Sequence, residues 1–424
     1  MRSLLLCLLL ALPCAAFAEA SWLTELESAL KAAQAAKKPV LIDFQAPWCY
    51  SCYYMDSHVL SREPFAQAAK GLVLLKLDVD TEAGRALKEK YGVTFLPSYV
   101  VIDEKGAALG RIIGEQTEQD FLSRLDAVLK TSGRDPLAQA EQRLGQRLAA
   151  GEFSQAASEV AKLPAPRLKE LRKRVSWRVL AARLALRQAE KAQDPAAAAG
   201  ALETILKEEQ ACDLAYDVGY SEKVVDALPP ERRLALLGAE RDALESLVSR
   251  RVMSVGASRC ADFRSGIETL AEVYAKLGEK ERRAGLLSRA NAFLERQDVK
   301  PGVDRNHDDN RRFFLELAGE DAKLQALFIE LVAAYPADYV YRARFAKHLL
   351  EKGEAALALD WAERADQLAY GANRLSVTKT RAKALAALGR KEEALALLRR
   401  DIKAGSAVFA KDVRGLEELA AELK

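Results

Sequence analysis

The sequence has little histidine and no large excess of charge of either sign. Among 424 residues there are 3 His, and 64 Lys and Arg against 61 Asp and Glu give a formal net charge of +3. Such a balanced chain has no electrostatic reason to bind nucleic acid or an acidic lipid surface. His58, His307 and His348 form no Ser/His/Asp or Cys/His signature, so we interpret them as surface or hydrogen-bonded residues. The sequence therefore predicts no nucleic-acid partner.

Long apolar runs are also missing after the first 18 residues, beyond which no stretch reaches 18 consecutive apolar residues. The start of the chain differs, because Arg2 precedes an apolar run, Leu4 to Leu12, and then Ala16-Phe17-Ala18. This pattern is typical of a cleaved secretory signal peptide, and the run is too short for a membrane span. We therefore expect residues 1–18 to be removed and the mature protein to be soluble and periplasmic. A lipoprotein anchored through Cys14 and a retained membrane anchor are the weaker alternatives.

Cysteine is scarce, with six residues in the whole chain. Removal of the predicted signal peptide leaves four of them, Cys49, Cys52, Cys212 and Cys260. An exported chain meets an oxidising compartment, and four cysteines are consistent with two pairs. A zinc site requires four ligands, whereas the last two cysteines lack a Cys-x-x-Cys spacing and no pair of His lies near them. We therefore expect no metal and no cofactor.

The stretch from Leu41 to Cys52 is the one around which the rest of the chain is organised. An apolar run ends, Pro47-Trp48 turns the chain, and Cys49 and Cys52 follow with two residues between them. A Cys-x-x-Cys pair after a strand and at a helix start suits reversible dithiol–disulfide chemistry. The helix N-terminus favours the thiolate of the first cysteine, and the second is placed to attack a mixed disulfide. A purely structural disulfide is the alternative, although a bridge that closes so short a loop stabilises little.

The sequence around this pair predicts one compact α/β domain, residues 19–130, in the order α-β-α-β-α-β-β-α. We expect its first helix from Ser21 to Lys38, with Thr24-x-x-Glu27 as a capping box. Apolar runs, periodicity and Gly or Pro signals predict the later strands and helices at residues 40–44, 48–58, 64–70, 72–79, 81–91, 98–102, 108–113 and 117–129.

The character of the sequence changes after a polar break at residues 131–136, which we interpret as a linker. From residue 137 to residue 424, Ala, Leu, Glu, Lys and Arg dominate and no convincing strand is present. A Gly-to-Ala spacing recurs after Gly151, Gly353 and Gly389, and more loosely after Gly278. This resembles the tetratricopeptide repeat, in which glycine lies at the turn between two antiparallel helices. An irregular helical solenoid is the alternative interpretation.

Asp43 lies six residues before Cys49, Trp48 precedes that cysteine, Lys76 lies in Leu-Lys-Leu-Asp, and Pro97 ends Gly-Val-Thr-Phe-Leu-Pro. In these positions residues 20–130 resemble the thioredoxin superfamily. The likeness is greatest to the C-terminal domain of the membrane thiol:disulfide interchange reductases, which carries a short insertion after the dithiol. The predicted fold class is therefore an α/β thioredoxin-like domain followed by an all-α helical repeat domain.

The resemblance also implies roles for individual residues. Cys49 would be the exposed nucleophile and Cys52 the resolving thiol. Asp43 would be a buried carboxylate that moves protons beneath the dithiol, with Lys76 as its charge partner. Pro97 would be a cis-proline that faces the sulfurs, and Trp48 would support the site.

Two features outside this motif have competing interpretations. Cys212 and Cys260 suit a structural disulfide, because closing a loop of about 48 residues is worth ~4 kcal/mol in the chain-entropy model. A second redox pair is the alternative. The segment from Asp304 to Asn310 looks like the start of a calcium loop but lacks Gly at its sixth position and Glu at its twelfth. We therefore interpret it as a polar loop between helices.

The sequence leads to two hypotheses of function. In the first, the protein is an exported thiol:disulfide oxidoreductase that acts on protein disulfides, with partner proteins bound by the helical repeats. Reduction is the direction that the resemblance implies, and outside the cytoplasm it requires a membrane-delivered supply of electrons. In the second, the protein is a scaffold or assembly factor whose thioredoxin-like domain serves for docking, because helical repeats form extended binding surfaces.

Overall fold

The computed structural model describes residues 21–130, 136–208, 212–254, 259–405 and 407–424. The predicted signal peptide lies outside these residues, as does the predicted linker except for Pro136. Within the described ranges, no helix combines the length and the apolar character that crossing a membrane requires.

The N-terminal part of the molecule is built on a five-stranded mixed sheet. Its strands are β1 (Trp22–Leu23), β2 (Val40–Gln45), β3 (Val73–Asp78), β4 (Ser98–Ile102) and β5 (Ala108–Ile113). They lie in the order β1-β3-β2-β4-β5. β3 pairs in parallel with β1 and β2, whereas β4 pairs antiparallel with β2 and β5. The central strand β2 leads directly to the dithiol.

Both faces of this sheet are covered, as the side chains of β2 illustrate. Val40, Ile42 and Phe44 pack in one buried cluster, whereas Leu41 packs in a second. Successive side chains of a strand point to opposite faces, so burial of both faces requires a nearly continuous apolar run. Asp43 interrupts that run and is nevertheless buried, with 2% of the residue exposed. Its position inside the core marks it as functional or strongly paired.

Five helices accompany the sheet. They are α1 (Leu26–Ala36), α2 (Tyr50–Met55), α3 (Glu63–Ala69), α4 (Glu82–Lys90) and α5 (Glu118–Leu129), and α2 continues as a π-helical turn over Asp56–Leu60. The predicted start of the first helix was wrong, because Trp22 pairs with Leu74 of β3 as a short strand. The predicted capping box was wrong as well, since the residue that caps α1 is Glu25 and its side chain makes no capping hydrogen bond.

Sixteen helices and no strand follow β5 and α5 among the described residues. They are α6 (Pro136–Ala149), α7 (Phe153–Ala161), α8 (Ala165–Leu171), α9 (Val175–Ala192), α10 (Pro195–Glu208), α11 (Leu214–Val225), α12 (Pro230–Leu247), α13 (Arg264–Lys276), α14 (Lys280–Glu295), α15 (Arg305–Ala318), α16 (Asp321–Ala334), α17 (Val340–Glu351), α18 (Ala355–Asp366), α19 (Gly371–Ala387), α20 (Lys391–Gly405) and α21 (Ala410–Glu422). A π-helical turn at Val248–Val252 extends α12.

Glycine lies at the turn between two helices at each position where the sequence suggested a repeat. Gly151, Gly278, Gly353 and Gly389 separate consecutive helices and have φ values of 71°, 73°, 81° and 76°. This left-handed conformation ends a helix and favours glycine, which has no Cβ to clash. The prediction of helix pairs with glycine at the turn is therefore confirmed.

The helical region packs against the α/β part at several points. α6 contacts β5, and α15 contacts α2, the helix that follows Cys49. Nearer the C-terminus, the hydroxyl of Tyr370 donates to the carboxylate of Asp78, a residue 292 positions earlier in the chain. Arg85 of α4 forms an ion pair with Asp412 of α21 at 3.0 Å. These contacts bring distant helices to the edge of the sheet where the dithiol lies.

Candidate active site

Cys49 and Cys52 form a disulfide at the beginning of α2, with their Cα atoms 5.3 Å apart. Cys49 is the residue that caps the helix, and its Sγ accepts a hydrogen bond from the amide of Cys52 at 3.1 Å. An amide donor and a helix N-terminus both favour the thiolate form of a cysteine. The local geometry therefore suits Cys49 as a nucleophile once the pair is reduced.

The expected exposure of Cys49 was wrong. Both cysteines are buried, and each has 4% of its surface exposed. The turn before them is held from within the α/β part, where the Trp48 indole donates to the Asp80 carboxylate at 2.7 Å. Trp48 itself remains 40% exposed. The cover over the sulfurs is therefore not supplied by this tryptophan alone.

Asp43 and Lys76 are neighbours on adjacent strands, as the sequence motif predicted. They are register partners in the β2–β3 pairing, and the Lys76 Nζ lies 3.6 Å from the Asp43 carboxylate. Lys76 lies closer to Asp56, at 2.6 Å. Burial raises the pKa of Asp43 to about 7, and the charge of Lys76 limits the rise. A carboxyl group that titrates near neutrality inside the core can carry a proton.

The peptide bond between Leu96 and Pro97 is cis, which confirms the prediction from the motif. The carbonyl of Pro97 accepts a hydrogen bond from the amide of Gly114 at 2.9 Å. The hydroxyl of Ser98 donates to the carbonyl of Phe95 at 2.8 Å, which holds the chain on the other side of the proline. Phe95 projects from this loop and is 47% exposed.

Side chains from α15 and α17 lie over the dithiol turn. Arg305 donates to the carbonyl of Pro47 at 3.2 Å, and Asn306 donates to the carbonyl of Tyr50 at 3.1 Å. Arg344 donates to the carbonyl of Trp48 at 3.3 Å. The carbonyls at the turn into the Cys-x-x-Cys motif are thus hydrogen-bonded to residues that lie 256 to 296 positions later in the chain.

The segment from Asp304 to Asn310 is neither a calcium loop nor a polar loop between helices. Asp304 caps α15, where its carboxylate accepts from the amide of His307 at 3.1 Å, and the residues after it are helical. Asn306 to Asn310 are all buried. The interpretation as a loop was wrong because these residues form the start of α15, where Asn306 donates to the dithiol turn and His307 lies against the carbonyl of Leu294 instead of facing solvent.

A buried cluster of charges fixes these helices over Tyr50. The Arg264 guanidinium lies 3.5 Å from the centroid of the Tyr50 ring and 2.8 Å from the Asp309 carboxylate. Asp309 also pairs with Arg312 at 3.0 Å and with Arg344. Burial acts to raise the pKa of Asp309, but these three guanidinium groups outweigh it and hold that pKa well below its usual range. Asp309 is therefore a permanent anion that joins α13, α15 and α17 near the dithiol.

Glu115 is a residue near the dithiol that the sequence motif did not indicate. It is 7% exposed, and its Oε1 has no hydrogen-bond partner among the described residues. Its Oε2 accepts a hydrogen bond from Asn306 at 3.5 Å. Burial raises the pKa of Glu115 well above its usual range, and the nearby charge of Asp262 adds to that rise.

Cys212 and Cys260 are joined by a disulfide, with their Cα atoms 5.6 Å apart. Cys260 belongs to the buried core of the helical region, and Cys212 packs against that core. The bridge connects the chain just before α11 to the chain just before α13. Its surroundings are those of a structural bridge.

The described residues contain no group of three or more His, Cys, Asp or Glu side chains arranged to hold a metal ion. The charged clusters near the dithiol instead combine carboxylates with arginines. Asp43 and Asp309 each have a cation within ion-pair distance. The groups that this site offers for disulfide exchange are the two sulfurs and the carboxyl groups around them.

Comparison with known proteins agrees with this geometry. Residues 21–104 match the family model described as thioredoxin-like. This segment is a thioredoxin-like domain. The chain is 31% identical over 116 residues to the thiol:disulfide interchange protein DsbD of Ralstonia nicotianae, a match covering 27% of this chain and 19% of the relative. A solution structure of a thioredoxin from Thermus thermophilus matches at 28% identity and a TM-score of 0.26, covering 27% of this chain and 92% of that one.

The helical region has its own structural likeness, to the TPR domain of P58(IPK), with 15% identity and a TM-score of 0.21 over 72% of this chain and 83% of that chain. The predicted fold class, a thioredoxin-like domain followed by an all-α helical region, is confirmed by the observed architecture. The chain spans about a fifth of the curated relative named above, at 19%. The Cys-x-x-Cys pair within this domain and the interchange-protein relatives together support a thiol:disulfide oxidoreductase.

Proposed function

We propose that the protein is an exported thiol:disulfide oxidoreductase that reduces disulfides in other proteins. The observation that carries this proposal is the Cys49–Cys52 pair, bonded at a helix start in a thioredoxin-like domain with a cis-proline at position 97. The domain boundaries that go with it are a signal peptide at residues 1–18, a thioredoxin-like domain at 19–130, a linker at 131–136 and a helical domain at 137–424.

The reaction starts from the reduced dithiol. The Cys49 thiolate attacks one sulfur of the substrate disulfide, which forms a mixed disulfide and breaks the substrate S–S bond. The displaced substrate sulfur leaves as a thiolate and takes up a proton. The amide of Cys52, which lies 3.1 Å from the Cys49 sulfur in the oxidised state, favours the attacking thiolate.

The second step releases the product. Cys52 loses its proton and attacks the Cys49 sulfur, which restores the Cys49–Cys52 disulfide and releases the second substrate thiol. Two electrons have then passed to the substrate, and a dithiol donor protein must return two electrons to the pair. We assign the acceptance of the Cys52 proton to Asp43, whose pKa burial raises to about 7.

The remaining site residues position this chemistry. Lys76 balances the charge of ionised Asp43 across 3.6 Å. Pro97 presents the neighbouring backbone to the substrate chain, and Trp48 fixes the turn through its hydrogen bond to Asp80. Reduction as the direction, a membrane-bound donor and a periplasmic location form part of the proposal, which the likeness to an interchange protein supports.

Reduction of insulin by dithiothreitol tests the proposal, with catalysis by wild type compared with Cys49→Ser and Cys52→Ser. We expect wild type to accelerate the reaction and Cys49→Ser to abolish the acceleration, because it removes the only group that attacks. Equal rates for wild type and Cys49→Ser would refute the proposal. The substitution Ser249→Ala is a suitable matched control, since Ser249 lies in the distant π-helical turn after α12.

A scaffold or assembly role is the second candidate, and the burial of the dithiol favours it. Cysteines that are 4% exposed are shielded from large folded proteins. If the domain serves mainly for docking, the double substitution Cys49→Ser/Cys52→Ser will preserve the cellular phenotype, whereas loss of residues 137–424 will abolish it. Loss of the phenotype in the double substitution would instead favour the enzyme.

A further inference from the structure

A large cavity lies between the thioredoxin-like domain and the helical region. Its volume is about 1310 Å³. One wall consists of the two residues between the cysteines, Tyr50 and Ser51, together with Phe95 and Leu96 before the cis-proline. The other wall comes from helices α6, α9, α11 and α13 of the helical region. The cavity thus lies between the two residues of the Cys-x-x-Cys motif and helices that belong to the helical region.

The arginines that line this cavity already have partners within the protein. Arg183 forms an ion pair with Asp217 at 2.8 Å, and Arg187 forms one with Glu190 at 2.9 Å. The other two arginines of the lining are also engaged, Arg124 with the Asp213 carboxylate at 3.9 Å and Arg111 with the carbonyl of Tyr91 at 3.0 Å. Three of the four arginines in the described lining are thus in ion pairs and Arg111 donates to a backbone carbonyl, so a small anionic disulfide such as oxidised glutathione meets cations that are already engaged.

Size and surface both favour a longer occupant. Pockets for single small molecules measure roughly 300–1,000 Å³, which is less than this cavity provides. Apolar side chains, among them Leu96, Ile112, Leu148 and Leu180, contribute much of the lining. A lining that combines these apolar side chains with arginines already engaged inside the protein suits an extended polypeptide segment of low charge. Such a segment brings both apolar side chains and neutral backbone groups.

Two aromatic rings join the walls of the cavity. The Phe95 ring lies edge-on to Tyr220 of α11, with centroids 5.4 Å apart, and the Arg187 guanidinium lies 3.9 Å from the Tyr220 ring centroid. Phe95 and Tyr220 are nevertheless 47% and 38% exposed. The helical region therefore supplies a surface directly opposite the loop that precedes the cis-proline.

We propose that this cavity binds an extended, uncharged, cysteine-bearing segment of the protein substrate, and that α11 and α6 of the helical region select that segment. This inference rests on the proposed reductase function, because it names the substrate class of the same dithiol. The substrate is an unfolded or flexible chain, since a folded surface cannot enter between the two walls. The helical wall then determines specificity, whereas the sulfurs carry out the exchange.

Two glycines allow the cavity to be filled without disturbing its walls. Gly219 of α11 lines the cavity, and a Cβ built there meets no atom within 4 Å. Gly145 of α6 also lines it, with only Leu180 Cδ2 near a built Cβ, at 3.8 Å. Gly200 of α10 is a matched control, because it is helical and equally open but lies outside the cavity lining. Replacing a helical glycine also removes its unfavourable helix propensity.

The experiment uses the full chain after reduction by dithiothreitol and removal of the reagent. The rate constants of disulfide reduction are measured for two substrates, a flexible uncharged peptide with one disulfide and oxidised glutathione, for wild type, Gly219→Trp, Gly145→Leu and Gly200→Trp. We expect the ratio of the peptide rate to the glutathione rate to fall at least tenfold in both cavity variants and to remain within twofold of wild type in Gly200→Trp.

A ratio that stays at the wild-type value in both cavity variants would overturn the inference, and so would an equal fall in Gly200→Trp. A thermal melt of each variant identifies any variant that fails to fold. Because the two cavity glycines lie on different helices, the other variant still tests the inference if one of them fails to fold. Failure of the proposed function has a separate signature, in which wild type reduces both substrates no faster than Cys49→Ser does.

Discussion

Asp43 is a carboxyl group in the core of the sheet, and its protonation is linked to folding. Burial raises its pKa to about 7 in the folded chain from the ordinary value of 3.8. Between these values the unfolded chain loses the proton while the folded chain keeps it. The contribution of Asp43 to the free energy of unfolding therefore decreases as pH rises from about 4 to about 7.

Asp43→Asn should remove this pH dependence. Because one pKa unit corresponds to about 1.4 kcal/mol, the variant should gain stability over wild type on the order of 4 kcal/mol above pH 7 and much less at pH 4.5. Urea unfolding of the oxidised protein across this pH range measures the difference. The control is Asp360→Asn, which removes an exposed carboxylate that pairs with Arg364 at 2.9 Å. A constant difference between wild type and Asp43→Asn at all pH values would contradict the assignment.

The site residues that belong to a short sequence motif could be predicted from the sequence. The site residues that distant helices contribute could not. The position of Asp43 and the Cys49–Cys52 pair follow from spacing within one domain, and the cis-proline at Pro97 was implied by the resemblance to the thioredoxin superfamily. Glu115 belongs to no such motif, and its contact with Asn306 of α15 joins residues 191 positions apart. The exposure of Cys49 was predicted wrongly for the same reason, because the residues over its turn lie more than 250 positions away.

At the scale of the element, α15 is the helix that closes over the dithiol turn. The buried carboxylate of Asp309 holds it by pairing with Arg264 and Arg312 at 2.8 and 3.0 Å and with Arg344. A buried charge whose partner is removed is strongly destabilising because the remaining charges stay desolvated. The packing of α15 against the dithiol turn should therefore depend on the Asp309 carboxylate.

Asp309→Ala should lower the free energy of unfolding by about 3–5 kcal/mol, since it leaves three arginines without their shared anion. It should also speed the alkylation of Cys49 in the reduced protein by loosening the cover. The control is Asp321→Ala, whose ion pair with Lys352 at 2.6 Å is exposed and should contribute only about 0–1 kcal/mol. Unchanged urea midpoint and alkylation rate in Asp309→Ala would contradict the role given to this cluster.

Most elements were predictable because their signals are local. Glycine marks the ends of helices at 353 and 389, and apolar runs mark β2, β3 and β4. The start of α15 was missed although Asp304 is a favourable helix cap, because the dense polar residues after it suggest solvent exposure. Their burial depends on tertiary contacts, such as Asn306 with the carbonyl of Tyr50 and Asp308 with Tyr335, which no periodicity reveals. Trp22 and Leu23 were assigned to a helix because their spacing from Leu26 and Leu30 fits a helical period, but they pair with Leu74 and Leu75 as a short strand.

At the scale of the whole molecule, the second disulfide joins two parts of the helical region. Cys212 and Cys260 enclose a loop of 48 residues, which includes α11 and α12. Since α11 forms part of the cavity wall, the bridge also fixes the position of that wall. We propose that this bridge stabilises the helical region and takes no part in the exchange of electrons.

The double substitution Cys212→Ser/Cys260→Ser should lower the free energy of unfolding by about 4 kcal/mol, as expected for a loop of this length. Insulin reduction catalysed through Cys49 should stay within about twofold of wild type at 25 °C, because the sulfurs of the active pair are untouched. Denaturant unfolding and the insulin assay measure the two effects. Loss of catalysis in a variant that remains folded would instead favour a second redox pair.

The two-part architecture could be predicted from composition, since the change to Ala, Leu, Glu, Lys and Arg after residue 136 separates a helical region from an α/β domain. The way in which the parts meet could not. It depends on contacts such as that of Arg264 with Tyr50, in which neither residue stands out along the sequence. We propose that disulfide exchange at Cys49 takes place beneath a helical cover.

Trapping of the mixed disulfide tests this claim most directly. Reduced Cys52→Ser protein is mixed with a flexible peptide that contains one disulfide, and the covalent adduct is digested and mapped by mass spectrometry. The account predicts a one-to-one adduct joined through Cys49, because the resolving thiol is absent and the intermediate persists. No adduct, or an adduct joined through Cys212 or Cys260 while Cys49 stays free, would contradict it.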